Sequence, residues 1–198
     1  MPHSEPEVAA PVPPVGYASP LRFRYPVAAL QVASILLLVV AAPLLALLTF
    51  LLRGDLAAIP PVLALADVGL LLATIVVTVL VHELVHGLAY QALGYRVSYG
   101  VSLRLVAAYA AAFGQWQRRN HNLLVALAPL LVMTPLLLLL IVLGSPAMAR
   151  LGFAALLFNS AGAVGDLYLA YRLLRAPAAT LLYDADPKTM WMAFPAAG

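Results

Sequence analysis

The sequence predicts an all-α polytopic membrane protein with about four transmembrane helices and a short β-strand or hairpin inserted between the second and the third. Of its 198 residues, 64% are hydrophobic and 10% are charged, whereas a soluble domain is about half apolar and a quarter charged. Four long apolar runs predict the helices, and one segment of period-two alternation predicts the strand. The absence of cysteine excludes disulfides and thiolate metal sites.

The first segment, residues 1–26, contains seven prolines and almost no bulky apolar residue before Leu21. Proline removes backbone donors and interrupts regular structure. We therefore expect a disordered, Pro-rich cytoplasmic tail. A secretory signal is not expected, because the first apolar run begins late and is long.

The membrane domain is predicted to extend over residues 27–175. An apolar run must have about 20 residues to cross a hydrocarbon core about 30 Å thick, and four runs in this sequence meet that length. The predicted spans are about 27–52, 62–93, 123–143 and 151–174. Residues 176–198 are then expected to form a cytoplasmic C-terminal tail.

The basic residues predict the orientation of the spans. Nine of them flank the spans on the side of both chain ends, and only Arg53 and Arg150 lie on the other side. Cytoplasmic segments carry the excess of arginine and lysine, so both termini are expected in the cytoplasm. With arginine far exceeding lysine, the chain fits a multi-pass protein of a bacterial cytoplasmic membrane. The basic residues are spread among loops, and no nucleic-acid partner is expected.

Residues 95–105 alternate strictly between apolar or aromatic residues and Arg, Ser or Gly. This period of two predicts a half-buried strand, or a hairpin that turns near Gly100. A second apolar stretch, 106–113, could pair with it. Because an open sheet edge cannot face lipid, we expect this element at the cytoplasmic interface or inside the protein.

Two histidines in the second span carry the strongest chemical signal. His82 and His86 are four residues apart, so on a helix both imidazoles reach one tetrahedral cation. Glu83 points about 100° away from His82, beside such a cation, where it can act as the catalytic base for an activated water. The alternative is that these polar side chains only hydrogen-bond neighbouring helices.

A hydrolytic zinc site needs a third protein ligand. Asp67 lies 15 residues before His82, about 22 Å along the helix and out of reach. Asp166 is the acidic residue of the fourth span, and its expected depth agrees with that of the histidines within about one helical turn. Two alternatives remain open: Asp166 is a lone acid bonded to Asn159 or a tyrosine, or His121 supplies the third ligand.

Three further residues are candidates for substrate binding. Asn159 lies about two turns before Asp166 and could donate to a substrate backbone or a tetrahedral oxyanion, or could serve helix packing alone. Tyr99 and Val101 belong to the predicted strand, whose edge could pair with an unwound peptide. The strand could equally only cover the mouth of the site.

A family resemblance rests on four features of the sequence: the motif His82-Glu-Leu-Val-His86-Gly87, the strand-like insert, the step Ala128-Pro129, and the pair Gly165-Asp166. Together they resemble the bacterial family of putative zincin membrane peptidases, which looks like a small relative of the site-2 intramembrane metalloproteases. The likeness covers about residues 60–190. It implies that His82, His86 and Asp166 bind one zinc ion per chain and that Glu83 is the catalytic base.

The predicted function is a zinc-dependent, membrane-embedded endopeptidase that hydrolyses peptide bonds within or at the edge of the bilayer. Its expected partners are a membrane-protein or peptide substrate and the lipid bilayer. Two other functions remain open at this point: a divalent-metal transporter, and a non-catalytic membrane scaffold.

Overall fold

The computed structural model describes residues 9–59, 65–102, 107–187 and 189–196. Within them lie five α-helices: α1 (Val27–Arg53), α2 (Leu65–Ala92), α3 (Arg119–Leu143), α4 (Pro146–Gly162) and α5 (Val164–Leu174). The same residues contain six strands: β1 (Leu21–Phe23), β2 (Ser98–Ser102), β3 (Ala107–Ala111), β4 (Trp116–Arg118), β5 (Leu181–Asp186) and β6 (Thr189–Ala193).

Three helices, α1, α2 and α3, are long and apolar enough to cross a membrane. Large apolar side chains on them are widely exposed, as Leu51 and Leu80 are, which is the pattern of a surface that faces lipid. These helices coincide with the first three predicted spans to within a few residues, except that α3 begins four residues earlier than expected. His121 and Asn122 therefore lie in its first turn.

The predicted fourth span is not one straight helix. It is divided at Ala163 into α4 and α5, whose axes differ by 42°. The residues that the structure describes therefore contain three candidate spans, or four if this bent pair counts as one. Gly162 and Gly165 flank the break, and glycine is about 1 kcal/mol less favourable than alanine inside a helix. As a result, Asp166 lies in the first turn of a new helix.

The helices pack around α4, which contacts α1, α2, α3 and α5. One apolar cluster, formed by Ile141, Phe153 and Leu156, joins α3 to α4. At the same end of the bundle Arg53 Nη1 donates to three carbonyls at the C-terminus of α3, those of Ile141, Val142 and Gly144, at 2.7–3.0 Å. This guanidinium satisfies acceptors that no helical N–H reaches.

The predicted hairpin is present between α2 and α3. β2 and β3 pair antiparallel, with Tyr99 opposite Ala110 and Gly100 opposite Tyr109. Gly100 is therefore in the middle of a strand, and the expected turn at this glycine is wrong. The connection between the two strands falls in residues 103–106, outside the described residues.

A second sheet, not predicted, has the strand order β1-β6-β5-β4. Its strands come partly from the two predicted tails, so the fold is helical with β-structure rather than all-α. Phe23, Leu182 and Met192 bury their side chains against Ala126 of α3 and Leu169 of α5. This apolar contact explains why segments that appear tail-like in the sequence adopt a regular structure here.

Candidate metal centre

The two histidines of α2 face each other across one helical turn. Both are 7% exposed, and their Nε2 atoms lie 3.2 Å apart. The four-residue spacing produces this arrangement, because residues i and i+4 lie on one face of a helix.

Asp166 completes the cluster from α5. Its Oδ2 atom lies 3.1 Å from His82 Nε2 and 3.4 Å from His86 Nε2. Among the residues that the structure describes, His82, His86 and Asp166 are the one group of this kind able to hold a metal ion. The position in the first turn of α5 also places the carboxylate near the positive end of that helix dipole.

Each imidazole is oriented through its other nitrogen. His86 Nδ1 donates to the Val125 carbonyl at 2.8 Å, and His82 Nδ1 donates to Asn159 Oδ1 at 2.9 Å. A backbone carbonyl only accepts, so in a neutral His86 ring the proton is on Nδ1 and Nε2 carries a lone pair. Such partners fix the tautomer and the ring orientation of metal-binding histidines.

The donor set fits zinc. In a tetrahedral site with bonds of about 2.0–2.1 Å, ligand atoms are about 3.3 Å apart, and the three distances here are 3.1–3.4 Å. Two lone pairs and a carboxylate oxygen that converge without a shared proton repel one another, and a cation removes that repulsion. Three protein ligands also leave a fourth position for a reactant.

Glu83 is beside this cluster but is not part of it. Its Oε2 atom accepts a hydrogen bond from the Ala110 backbone N–H of β3, at 2.8 Å. The hairpin thus reaches the carboxylate that the sequence identifies as the candidate base.

Glu83, His86 and Asp166 line a cavity of about 700 Å³. Its other walls include β3 and residues of the second sheet region, among them Tyr25 and Asp184. The cavity therefore brings the candidate metal ligands, the candidate base and a strand edge into one space.

Two cavity residues were not identified from the sequence. Burial raises the pKa of Asp184 to about 6, although the Gln117 amide that donates to Asp184 Oδ2 opposes this shift. Burial and the neighbouring Asp184 carboxyl raise the pKa of the Tyr25 phenol, so Tyr25 stays protonated at neutral pH. Both residues lie in segments expected to be tails, and no spacing pattern in the sequence distinguishes them.

The three residues expected to bind substrate lie in two parts of the structure. Tyr99 and Val101 belong to β2 and are not among the residues that line the cavity; β3 is the strand that borders it. Tyr99 instead packs against Gly87 of α2. Asn159 is buried, and its Oδ1 is already used by His82.

The alternative ligand His121 pairs with a tyrosine: its Nδ1 is 2.9 Å from the Tyr95 hydroxyl. Asn122, in the first turn of α3, accepts a hydrogen bond from the Tyr90 hydroxyl inside the helix bundle. The side chain of Asp67 lies outside the described residues.

Comparison with known proteins gives one match. Residues 75–181, more than half of the chain, match the model of a protein family described as "Putative zincin peptidase". The matched segment contains the two histidines, Glu83, the hairpin and Asp166. Neither the curated proteins nor the solved structures include a match to the chain.

Proposed function

We propose that this chain, which belongs to the putative zincin peptidase family, is a zinc-dependent, membrane-embedded endopeptidase that hydrolyses peptide bonds within or at the edge of the bilayer. The observation that carries the proposal is the convergence of His82 Nε2, His86 Nε2 and Asp166 Oδ2 at 3.1–3.4 Å. The Glu83 carboxylate, which is not one of these three ligands, lines the same cavity.

His82, His86 and Asp166 are the residues that would hold the metal. A zinc ion bound there supplies a Lewis acid that polarises a peptide carbonyl and makes water a nucleophile at neutral pH. The Val125 carbonyl and the Asn159 amide keep both Nε2 lone pairs directed at this position.

Glu83 acts as the general base and then as the general acid. Its carboxylate takes a proton from the attacking water and delivers it to the leaving amine. The hydrogen bond from Ala110 to Oε2 holds the side chain while the other oxygen, Oε1, is left for the reaction.

The proposed substrate is a membrane protein or peptide in an extended conformation, because a helical amide is shielded by its own hydrogen bonds. The edge of β3 supports this. Ala110 directs its N–H toward Glu83 and away from β2, and in a strand the backbone groups of every second residue point the same way. Ala108 therefore offers its backbone groups at the same edge, where an added strand can pair.

The proposed location is a bacterial cytoplasmic membrane with both chain ends in the cytoplasm. His86 lies six residues before the end of α2 at Ala92, which corresponds to about 9 Å along the helix. This shallow depth favours access of water from the cytoplasmic side.

The test is cleavage of a membrane-anchored peptide reporter by the full chain in liposomes, with zinc content measured on the same samples. Glu83→Gln should keep its zinc and lose about 10²–10⁴-fold in rate, which is the usual contribution of a general base. His86→Ala should lose both zinc and cleavage. His121→Ala is the matched histidine control and should keep the zinc. Equal cleavage by the wild type and Glu83→Gln would contradict the proposal.

A further inference from the structure

Gly87 follows Glu83 by four residues on α2, so both lie on the same face of that helix. The hairpin packs against this face, since α2 contacts both β2 and β3. Gly87 is the last residue of the sequence motif, and the proposed chemistry gives it no role.

A side chain at position 87 would compete with Tyr99 for space. A Cβ atom built on Gly87 would overlap the hydroxyl and ring atoms of Tyr99. The tip of the half-exposed Tyr99 ring therefore rests directly on the backbone of α2, at the place where the hairpin meets the helix.

The contact between Gly87 and Tyr99 is linked through the hairpin to Glu83, the candidate base. Tyr99 is opposite Ala110 in the register of the hairpin, and the Ala110 N–H donates to Glu83 at 2.8 Å. Four residues thus form a closed ring of contacts: Glu83 and Gly87 on the helix, and Tyr99 and Ala110 on the hairpin.

We propose that Gly87 and Tyr99 are positioning residues for Glu83: their contact fixes the distance between the hairpin and α2 and so places the Ala110 N–H on the Glu83 carboxylate. The inference rests on the proposed function for its catalytic consequence, whereas its structural content does not depend on activity.

The consequence for the reaction follows from geometry. A glutamate side chain has three rotatable bonds and occupies many rotamers when nothing holds it. A displacement of about 1 Å in a catalytic group costs about 100-fold in rate. Loss of the Ala110 hydrogen bond should therefore lower kcat, whereas the metal ligands, which belong to α2 and α5, keep their positions.

The experiment compares substitutions of two glycines on α2 in the full-length protein. Gly87→Ala should lower kcat for the peptide reporter about 100-fold, with zinc content unchanged. Gly69→Ala is the matched control: a Cβ atom at position 69 meets nothing within 4 Å, so kcat should stay at the wild-type value. A Gly87→Ala variant as active as Gly69→Ala would overturn the inference.

Substitution of Tyr99, which contacts Gly87, gives a second and independent experiment. Tyr99→Ala removes the ring that limits the approach and should lower kcat about tenfold, and the double variant Gly87→Ala/Tyr99→Ala should fall no further than Tyr99→Ala alone. This non-additivity distinguishes a shared contact from two separate structural defects. Losses that multiply in the double variant would exclude the contact as the cause.

A readout without activity separates this inference from the proposed function. Hydrogen exchange of the Ala110 amide should be about tenfold faster in Gly87→Ala than in the wild type or Gly69→Ala, because its acceptor is displaced. If the wild type cleaves no reporter, the proposed function is wrong. The exchange rates of the Ala110 amide still test whether the contact between Gly87 and Tyr99 positions Glu83. An unchanged exchange rate at Ala110 in Gly87→Ala would refute the inference whatever the activity.

Discussion

Asn159 illustrates at the residue scale how a buried amide can serve a metal site without contacting the metal. Its side chain is 1% exposed, and its Oδ1 accepts from His82 Nδ1. Within the described part of the chain, its Nδ2 has no hydrogen-bond partner. Because a buried polar atom without a partner is costly, packing alone does not explain an asparagine here, and the orientation of His82 does.

We expect Asn159→Leu, which keeps a similar volume, to weaken zinc affinity about 10–100-fold, the usual cost of removing a residue that orients a metal ligand. The measurement is competition with a chelator of known affinity in detergent micelles. Ser160→Ala serves as the control, since that hydroxyl donates to the Leu156 carbonyl of its own helix. Identical zinc affinities for Asn159→Leu and the wild type would exclude an orienting role.

The convergence of His82, His86 and Asp166 could be predicted from the sequence because it depends only on helix spacing and on depth in the membrane. A four-residue spacing brings His82 and His86 together on any helix, and Asp166 was the remaining acid at a matching depth. Tyr25 and Asp184 could not be predicted in the same way. Their place in the cavity depends on strand pairing between segments more than 150 residues apart, and no short-range pattern encodes that pairing.

At the scale of elements, the end of α3 is stabilised from outside. The sequence shows Arg53 only as a charge on the less basic side of the membrane, whereas the structure gives its Nη1 three carbonyl acceptors in and after the last turn of α3. The last four carbonyls of a helix lack helical donors. Arg53 at the end of α1 thus joins the ends of two helices.

Arg53→Met should lower the stability of the protein by about 1–3 kcal/mol, because it removes hydrogen bonds from a charged donor to partly buried carbonyls. The expected observation is a lower Tm in detergent micelles. Arg150→Met provides the comparison, because that arginine makes a single exposed hydrogen bond of 3.3 Å to the Ala57 carbonyl. Equal Tm values for the two variants would argue against a capping role for Arg53.

Elements with strong periodicity were predictable, and the others were not. Long uncharged runs identified α1, α2 and α3, and strict alternation identified the hairpin. The break at Ala163 escaped prediction because no proline or charge marks it; only two glycines flank it. The second sheet escaped because β1 has three residues in a proline-rich segment, and its apolar side chains gain burial only in the folded protein.

At the scale of the whole molecule, the candidate metal centre joins separate parts of the fold. His82 and His86 belong to α2, Asp166 belongs to α5, and Val125 of α3 orients one imidazole. A bound ion would therefore link α2 directly to α5, and its binding free energy would add to the stability of the folded state.

Removal of zinc by a membrane-permeant chelator should lower the Tm of the wild type. At a free zinc concentration about 100 times the Kd, the bound ion contributes about 2.7 kcal/mol. Asp166→Ala should show the same Tm with and without the chelator. A wild-type Tm that does not respond to zinc or chelator would mean that these helices bind no zinc in the folded protein.

The pairing of β1 with β6 has a consequence for biosynthesis. Arg22 of β1 and Thr189 of β6 are hydrogen-bonded although they are 167 positions apart in the chain. β1 can therefore pair with β6 only after the ribosome has made all of the intervening chain. Both histidines and Asp166 are already synthesised by then. The wall of the cavity that contains β1 is consequently closed only after the candidate ligands have been translated, so the candidate metal centre is open on that side during synthesis.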